Sequence, residues 1–290
     1  MKIIIKALRC HQWIKNILIF VPLVSSHRLL EYELLINGII AFFIFSATAS
    51  SLYLVNDILD IDNDKLHEYK KNRPIASGEL SIPLAILTII TLILLSYTFS
   101  FFILPAEFLY TLTIYIALSL LYSFILKYIT VIDILVLSIL YTLRLYAGAS
   151  AMSLEVTFWI TSFSLFIFFS LAVLKRYTEL VKYSNDNTFN NSSRPYKSLD
   201  ISVLSSFGTS SGFISVLILA LYINEQDNGE MYKHPEWMWI AIPLLLLWIS
   251  RVWIKVHRKQ MHDDPIIFAI KDNPSRIIGL FFVLSFWLAA

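Results

Sequence analysis

The 290-residue chain has a single cysteine, Cys10, which excludes an intrachain disulfide and a cysteine-built metal site. Charged residues make up only 15% of it, against the roughly 25% of a soluble domain. That is too little polar side chain to cover a soluble surface of this size. Net charge is only +2, so charge excess gives no support to a nucleic-acid partner. Glycine (7) and proline (9) are too scarce for linkers, and no break in composition marks a second domain. Residues 1–290 therefore read as one domain. A cleavable signal peptide is not expected, because the first apolar run, Ile17–Val24, leads into Ser-Ser-His-Arg rather than a small-x-small site.

What is present is hydrophobic side chain, 57% of the residues, with a mean hydropathy of +0.69. A membrane span needs about 20 apolar residues. Candidates lie at 13–26, 34–57, 82–103, 106–126, 129–150, 157–181, 200–223, 236–256 and 275–290. They predict an all-α polytopic bundle of about nine transmembrane helices. Leu104-Pro105-Ala106 and Lys127-Tyr128 have room only for tight turns. With the N-terminus placed inside, 20 of the 23 basic residues fall on cytoplasmic segments. Arg28 and Lys233 lie outside, Arg144 lies within the fifth span, and the acids Glu225, Asp227, Glu230 and Glu236 collect on the outer side. The charge bias predicts a multi-pass protein of the cytoplasmic membrane with its polar site on the cytoplasmic face and its C-terminus outside.

The chemistry begins at the end of the second span, in Asn56-Asp57-Ile58-Leu59-Asp60-Ile61-Asp62-Asn63-Asp64. On one continuous helix Asp57, Asp60 and Asp64 fall within about 60° of one another, with Asn56 beside them and Asp62 turned away. Carboxylates so placed repel unless a cation sits between them, and oxygen ligands bridging to phosphates suit Mg²⁺, with Mn²⁺ as the other candidate ion. The plainer account is a solvated acidic helix end, which the helix dipole disfavours. Downstream come Lys65, His67, Lys70, Lys71 and Arg73-Pro74-Ile75-Ala76-Ser77-Gly78. Positive-inside bias accounts for Lys70 and Lys71, while Arg73 is the expected phosphate contact and His67 a weak one. Lys15 and Asn16 in the first span, Lys127 in its turn and Asp133 after it complete the membrane-side candidates. Lys175, Arg176 and Glu179 form a cluster at the cytoplasmic mouth that reads as a substrate contact, with a simple i,i+4 pair of Lys175 and Glu179 as the plainer account. Arg144, eleven residues from Asp133 and so about 16 Å along a helix, cannot pair with it and reads as a structural residue that snorkels outward or pairs with another helix. Asp263 and Asp264 read as caps before Pro265, Ser205–Gly212 as a helix-packing stripe, and Trp237, Trp239, Trp253 and Trp287 as interfacial anchors.

The string NDxxDxxxD followed by RPIASG resembles the UbiA superfamily of intramembrane prenyltransferases, and nine spans with an inside N-terminus match it. Further segments narrow the resemblance: Arg9–Asn16, Tyr122–Lys127, Asp133 through Arg144 to Gly148, Lys175–Leu180 and Asp263-Asp264-Pro265. Together they are similar to the branch that contains decaprenyl-phosphate phosphoribosyltransferase. One departure separates the branches. Prenyl-transferring members carry a second acidic motif, DxxxD, after the sixth span. Here the stretch reads Lys175-Arg176-Tyr177-Thr178-Glu179, and the next acid is Asp186. The resemblance implies an Mg²⁺-dependent enzyme with phosphoribosyl diphosphate as donor, a polyprenyl phosphate lipid as acceptor, and Lys15 and Asn16 as substrate contacts. The alternative is prenyl transfer from a prenyl diphosphate to an aromatic or other small acceptor. A secondary transporter is disfavoured, because the charges gather at one membrane face rather than at the midplane. Beyond membrane lipids and these substrates no partner is implied, and a homo-oligomer is left open.

Overall fold

The computed structural model describes residues 2–66, 70–183, 195–225, 232–261 and 264–290, and among them every regular element is a helix. Among the described residues seven helices are long and apolar enough to cross a membrane: Tyr32–Leu59, Ile82–Ile103, Ala106–Phe124, Ile132–Ala151, Phe158–Val181, Ser198–Ile223 and Pro235–His257. The two outermost expected spans differ from these. The first folds as a 3₁₀ helix, Cys10–Phe20, followed by the short α-helix Val21–Ser25, and the last is the 17-residue helix Asn273–Ala289. Both expected tight turns are present. Only Leu104 and Pro105 separate Ile103 from Ala106, and a single 3₁₀ turn, Leu126–Tyr128, follows Phe124.

The helices group into two compact units, one of residues Met1–Val136 and Leu140–Val156, the other of Leu137–Ile139 and Thr157–Ala290. The first unit contains α1 (Lys2–Ala7), the 3₁₀ helix, α2 (Val21–Ser25), α3 (Tyr32–Leu59), α4 (Ile61–Leu66), α5 (Ile82–Ile103), α6 (Ala106–Phe124) and most of α7 (Ile132–Ala151). Its axis is α3, whose buried face reads Ala41, Phe45, Ser46, Thr48, Ala49, Ser50 and Ser51. Small side chains let neighbouring helices approach closely where lipid offers no hydrophobic driving force. Against α3 packs α5, which buries only Ala85, Ser96 and Ser100 and turns Leu87, Leu94, Phe101 and Phe102 outward, as a lipid-facing helix does. At the other side Gly148 of α7 lets the 3₁₀ helix in. A Cβ there would fall 1.9 Å from the Ile19 carbonyl oxygen, so no side chain fits.

The second unit holds α8 (Phe158–Tyr183), α9 (Ile201–Ile223), α10 (Ala241–His257), α11 (Pro265–Lys271) and α12 (Asn273–Ala289). The small-residue stripe of α9 packs as expected. A Cβ on Gly208 would sit 2.1 Å from the Trp253 ring, and the Gly208 carbonyl accepts a 2.6 Å bond from the Ser170 hydroxyl. Trp253 is therefore a buried packing residue, 7% exposed and donating through Nε1 to Ser170 at 3.2 Å, rather than an interfacial anchor. Trp237, Trp239 and Trp287 are exposed, as anchors should be. Asp264 caps α11 by accepting the Ile266 amide at 3.1 Å. Asp272 caps α12 and also accepts two bonds from Arg251 and one from Lys255; the Arg251 guanidinium foremost holds its carboxyl well below the usual carboxylate range.

Candidate anion and metal site

Three segments of the first unit carry the polar residues, and one apolar cluster fixes all three. Ala7 of α1, Leu54 of α3, Ile75 and Leu80 of the return loop and Ala85 of α5 are buried together. Each lies a few residues from a charged one: Ala7 from Arg9, Leu54 from Asp57, Ile75 from Arg73. The loop itself is a compact turn in which the Ser77 amide bonds the Arg73 carbonyl and the Leu80 amide bonds the Pro74 carbonyl, both at 2.8 Å. Gly78 sits at φ +80°, a conformation open to glycine but strained for other residues. Arg9 is strained as well. Its left-handed backbone (φ 50°, ψ 48°) costs about 1–2 kcal/mol for an L-residue and begins the 3₁₀ helix.

The acidic motif is not one continuous helix. α3 ends at Leu59, Asp60 leaves helical geometry (φ −97°, ψ 10°), and α4 starts afresh at Ile61. The shared-face expectation for Asp57, Asp60 and Asp64 is corrected accordingly. Asp57 and Asp64, each 3% exposed, converge on the same nitrogen: Arg73 Nη1 donates to Asp57 Oδ1 at 3.1 Å and to Asp64 Oδ2 at 2.6 Å. Arg9 donates to Asp57 Oδ1 from another side, with its guanidinium 5.5 Å above the Tyr53 ring. Asp60 turns elsewhere, accepting from Lys127 Nζ at 2.6 Å and from Asn56 Nδ2 at 2.9 Å. Among the described residues no three His, Cys, Asp or Glu side chains are grouped to hold a metal ion. The pair Asp57 and Asp64 still suits Mg²⁺, which takes one or two carboxylates and completes its shell with water and phosphate oxygens. Their oxygens already converge on a position holding positive charge, the Arg73 nitrogen.

Lys127, a candidate in its tight turn by sequence, is 1% exposed and paired to Asp60 of the acidic motif. Lys15 (6%) and Asn16 (1%) are buried in the same unit. Asn16 donates to Ser46 at 2.9 Å and accepts from Arg144 Nε at 3.0 Å, while Lys15 lies 5.8 Å over the Tyr141 ring. Arg144 points inward and bonds other helices instead of snorkelling outward. It is 4% exposed and bonds the Leu140 carbonyl, the Tyr115 hydroxyl and Asn16. Asp133 is fully buried at the start of α7. Just before it Val131 is held at φ 68°, which is costly for a β-branched residue.

In the second unit the plainer account of that cluster, a Lys175–Glu179 pair, does not form. Arg176, 2% exposed, binds Glu179 at 2.6 Å, and Lys175 lies 3.8 Å from Asp264 with a side chain 37% exposed. Arg176 is the buried cation of the pair, and Lys175 the more accessible of the two. His67, Asp186, Asp227, Glu230 and Asp263 lie outside the described residues.

A family model described as the UbiA prenyltransferase family matches residues 19–273. Nodulation protein NoeC of Azorhizobium caulinodans is 33% identical over 97% of this chain and 92% of its own length. Protein y4nM of Sinorhizobium fredii is 32% identical over 97% of this chain, which spans only 55% of that relative. Decaprenyl-phosphate phosphoribosyltransferase of Corynebacterium glutamicum is 40% identical over 123 residues, 41% of this chain and 37% of its own. Among solved structures, a UbiA homologue from Archaeoglobus fulgidus bound to DMAPP and Mg²⁺ superposes with a TM-score of 0.72, covering 99% of this chain and 98% of its own at 16% identity. At that identity the likeness concerns the fold.

Proposed function

The chain belongs to the UbiA prenyltransferase family, and on that premise we propose that this multi-pass membrane transferase moves a 5-phosphoribosyl group from phosphoribosyl diphosphate to a polyprenyl phosphate. The observation that carries the choice of donor is the end of α8, where Lys175 and Arg176 stand in place of a second acidic motif. A prenyl diphosphate held by two acidic clusters lacks its second one here, whereas a donor with a separate 5-phosphate gains a cation. The partial identity to the Corynebacterium enzyme supports the same reading.

Asp57 and Asp64 would hold Mg²⁺, and the ion supplies neutralisation of the leaving diphosphate. Arg9 and Arg73, already directed at those carboxylates, would share the diphosphate charge, and Asp60 orients Lys127. In the transfer the bond from ribose C1 to the diphosphate oxygen breaks and its electron pair leaves with diphosphate. A bond from C1 to an acceptor phosphate oxygen forms, with no redox change. A phosphate monoester has its second pKa near 6 and is an oxyanion at neutral pH, so the acceptor needs no general base. We place the site on the cytoplasmic face, following the charge bias.

The testing experiment offers purified protein two mixtures with Mg²⁺: labelled phosphoribosyl diphosphate with a polyprenyl phosphate, and a prenyl diphosphate with 4-hydroxybenzoate. Labelled lipid is expected from the first. Turnover of the second alone replaces this reading with prenyl transfer.

A further inference from the structure

Deeper in the first unit a second cationic centre lies apart from the acidic motif. Arg144 on α7 is 4% exposed and always charged, and its hydrogen-bond partners are all neutral: Asn16 Oδ1, the Leu140 carbonyl and the Tyr115 hydroxyl. Its guanidinium lies 5.6 Å from the Phe45 ring, 5.3 Å from Tyr115 and 5.1 Å from Tyr141. The same Tyr141 ring carries the buried Lys15 ammonium at 5.8 Å on the 3₁₀ helix. Two cations therefore share one aromatic ring inside a membrane-spanning unit, and no carboxylate bonds the guanidinium among the described residues. Rings and neutral oxygens soften a buried positive charge but do not neutralise it, and such a charge inside a membrane protein calls for an anion.

The placement says which anion. Arg144 meets α3 at Phe45, twelve residues before Asp57 and so about 18 Å further into the span, with Tyr53 near both centres. The acidic motif stands at the end of α3, beside the charged loop from which a water-soluble donor would arrive. Displacement at ribose C1 brings the nucleophile in opposite the leaving diphosphate. The nucleophile must then approach from the membrane-ward side, where Lys15 and Arg144 are. A hydrocarbon chain would gain nothing from two buried cations, whereas a lipid phosphate drawn out of water needs them.

We propose that Lys15 and Arg144, spaced by Tyr115 and Tyr141, bind the phosphate of the polyprenyl phosphate acceptor. This assignment rests on the phosphoribosyl-transfer reading for its chemistry and adds the acceptor subsite to it. Asn16 acts as a positioning residue, since it ties Arg144 on α7 to Ser46 on α3.

The test measures binding to the purified full-length chain in detergent by calorimetry, with farnesyl phosphate, farnesol, ribose 5-phosphate and phosphoribosyl diphosphate as probes. Farnesyl phosphate is expected to bind far more tightly than farnesol. Arg144→Gln and Lys15→Gln should each weaken farnesyl phosphate at least about tenfold, the loss of a charged contact to phosphate, and leave phosphoribosyl diphosphate within about threefold. Arg144→Lys should recover part of the loss. Lys15→Gln leaves every bond of Arg144 in place, so it tests the site even where Arg144→Gln fails to fold. Unchanged farnesyl phosphate affinity in Lys15→Gln overturns the proposal, as does a loss confined to ribose 5-phosphate, which would give these cations to the donor. Arg144-dependent binding of farnesyl phosphate without any phosphoribosyl transfer would uphold the subsite and remove the proposed reaction. Transfer with an unchanged acceptor KM in both variants would do the reverse.

Discussion

At the scale of single residues, the acidic motif divides its labour. Asp57 and Asp64 face a common cation, so Asp57→Asn and Asp64→Asn should each weaken Mn²⁺ binding at least about tenfold by electron paramagnetic resonance titration and remove most activity, the charged contact being worth roughly 1.5–3 kcal/mol. Full turnover in excess chelator would dispose of the metal assignment. Asp60 instead neutralises Lys127, which is 1% exposed. Breaking a buried pair leaves an uncompensated charge, so Asp60→Asn should cost about 3–5 kcal/mol, and adding Lys127→Met should restore much of it. A thermal denaturation cycle over the four proteins measures the coupling, and additivity would show the pair to be inert. Lys175 and Arg176, adjacent in sequence, should differ in kind. Lys175→Ala should change stability by no more than about 1 kcal/mol, because its partner is distant and its side chain partly exposed. The same change should raise donor KM roughly tenfold or more. Arg176→Ala should instead lower the melting temperature, through the lost packing of a buried side chain and its bond to Glu179. Equal effects of the two variants on KM and on melting would contradict this division.

At the scale of elements, the 3₁₀ helix Cys10–Phe20 carries Lys15 and Asn16 and follows directly on Arg9, so the site depends on how closely it can approach α7. Gly148 permits that approach. Gly148→Ala would force the Ile19 backbone away, and overpacking of this kind costs about 1–3 kcal/mol. The displacement would carry Asn16 away from Arg144. Circular dichroism should therefore show an intact helical protein with a lowered melting temperature, and transfer should fall with acceptor KM raised. A variant with wild-type melting and kinetics would mean that this contact is slack. The apolar cluster of Ala7, Leu54, Ile75, Leu80 and Ala85 does the corresponding task for the acidic motif, since it locks the segments that carry Arg9, Asp57 and Arg73. Both devices are packing contacts far apart in sequence, which is why a strained residue such as Arg9 can be held in place.

At the scale of the whole molecule, sidedness is open to a direct measurement because Cys10 is the only native thiol. In a Cys10→Ser background, a cysteine at Lys233 should react with a membrane-impermeant maleimide in intact cells, and one at Lys71 only after the membrane is permeabilised. Both native residues are exposed in the structure. The reverse pattern would overturn the orientation drawn from the Lys/Arg bias.

Membrane residence and helical class were legible in the sequence, because in lipid the backbone must satisfy its own hydrogen bonds and long apolar runs can do little else than form helices. The family signature was legible too, since Asp57, Asp60, Asp64 and Arg73 lie within one short stretch whose spacing local geometry nearly fixes. Three things were decided only by tertiary structure. The break of α3 at Asp60 sent one carboxylate to Lys127 and two to Arg73, a division that helical phase alone could not give. The i,i+3 pair of Arg176 and Glu179 displaced the i,i+4 alternative with Lys175, because Arg176 is the buried residue and needs the partner more. Arg144 turned inward toward Lys15, Tyr115 and Tyr141, which come from the 3₁₀ helix, α6 and α7. Sequence periodicity reports which face of one helix is apolar; whether a lone arginine in a span meets lipid, a partner or a substrate depends on what the other helices place around it.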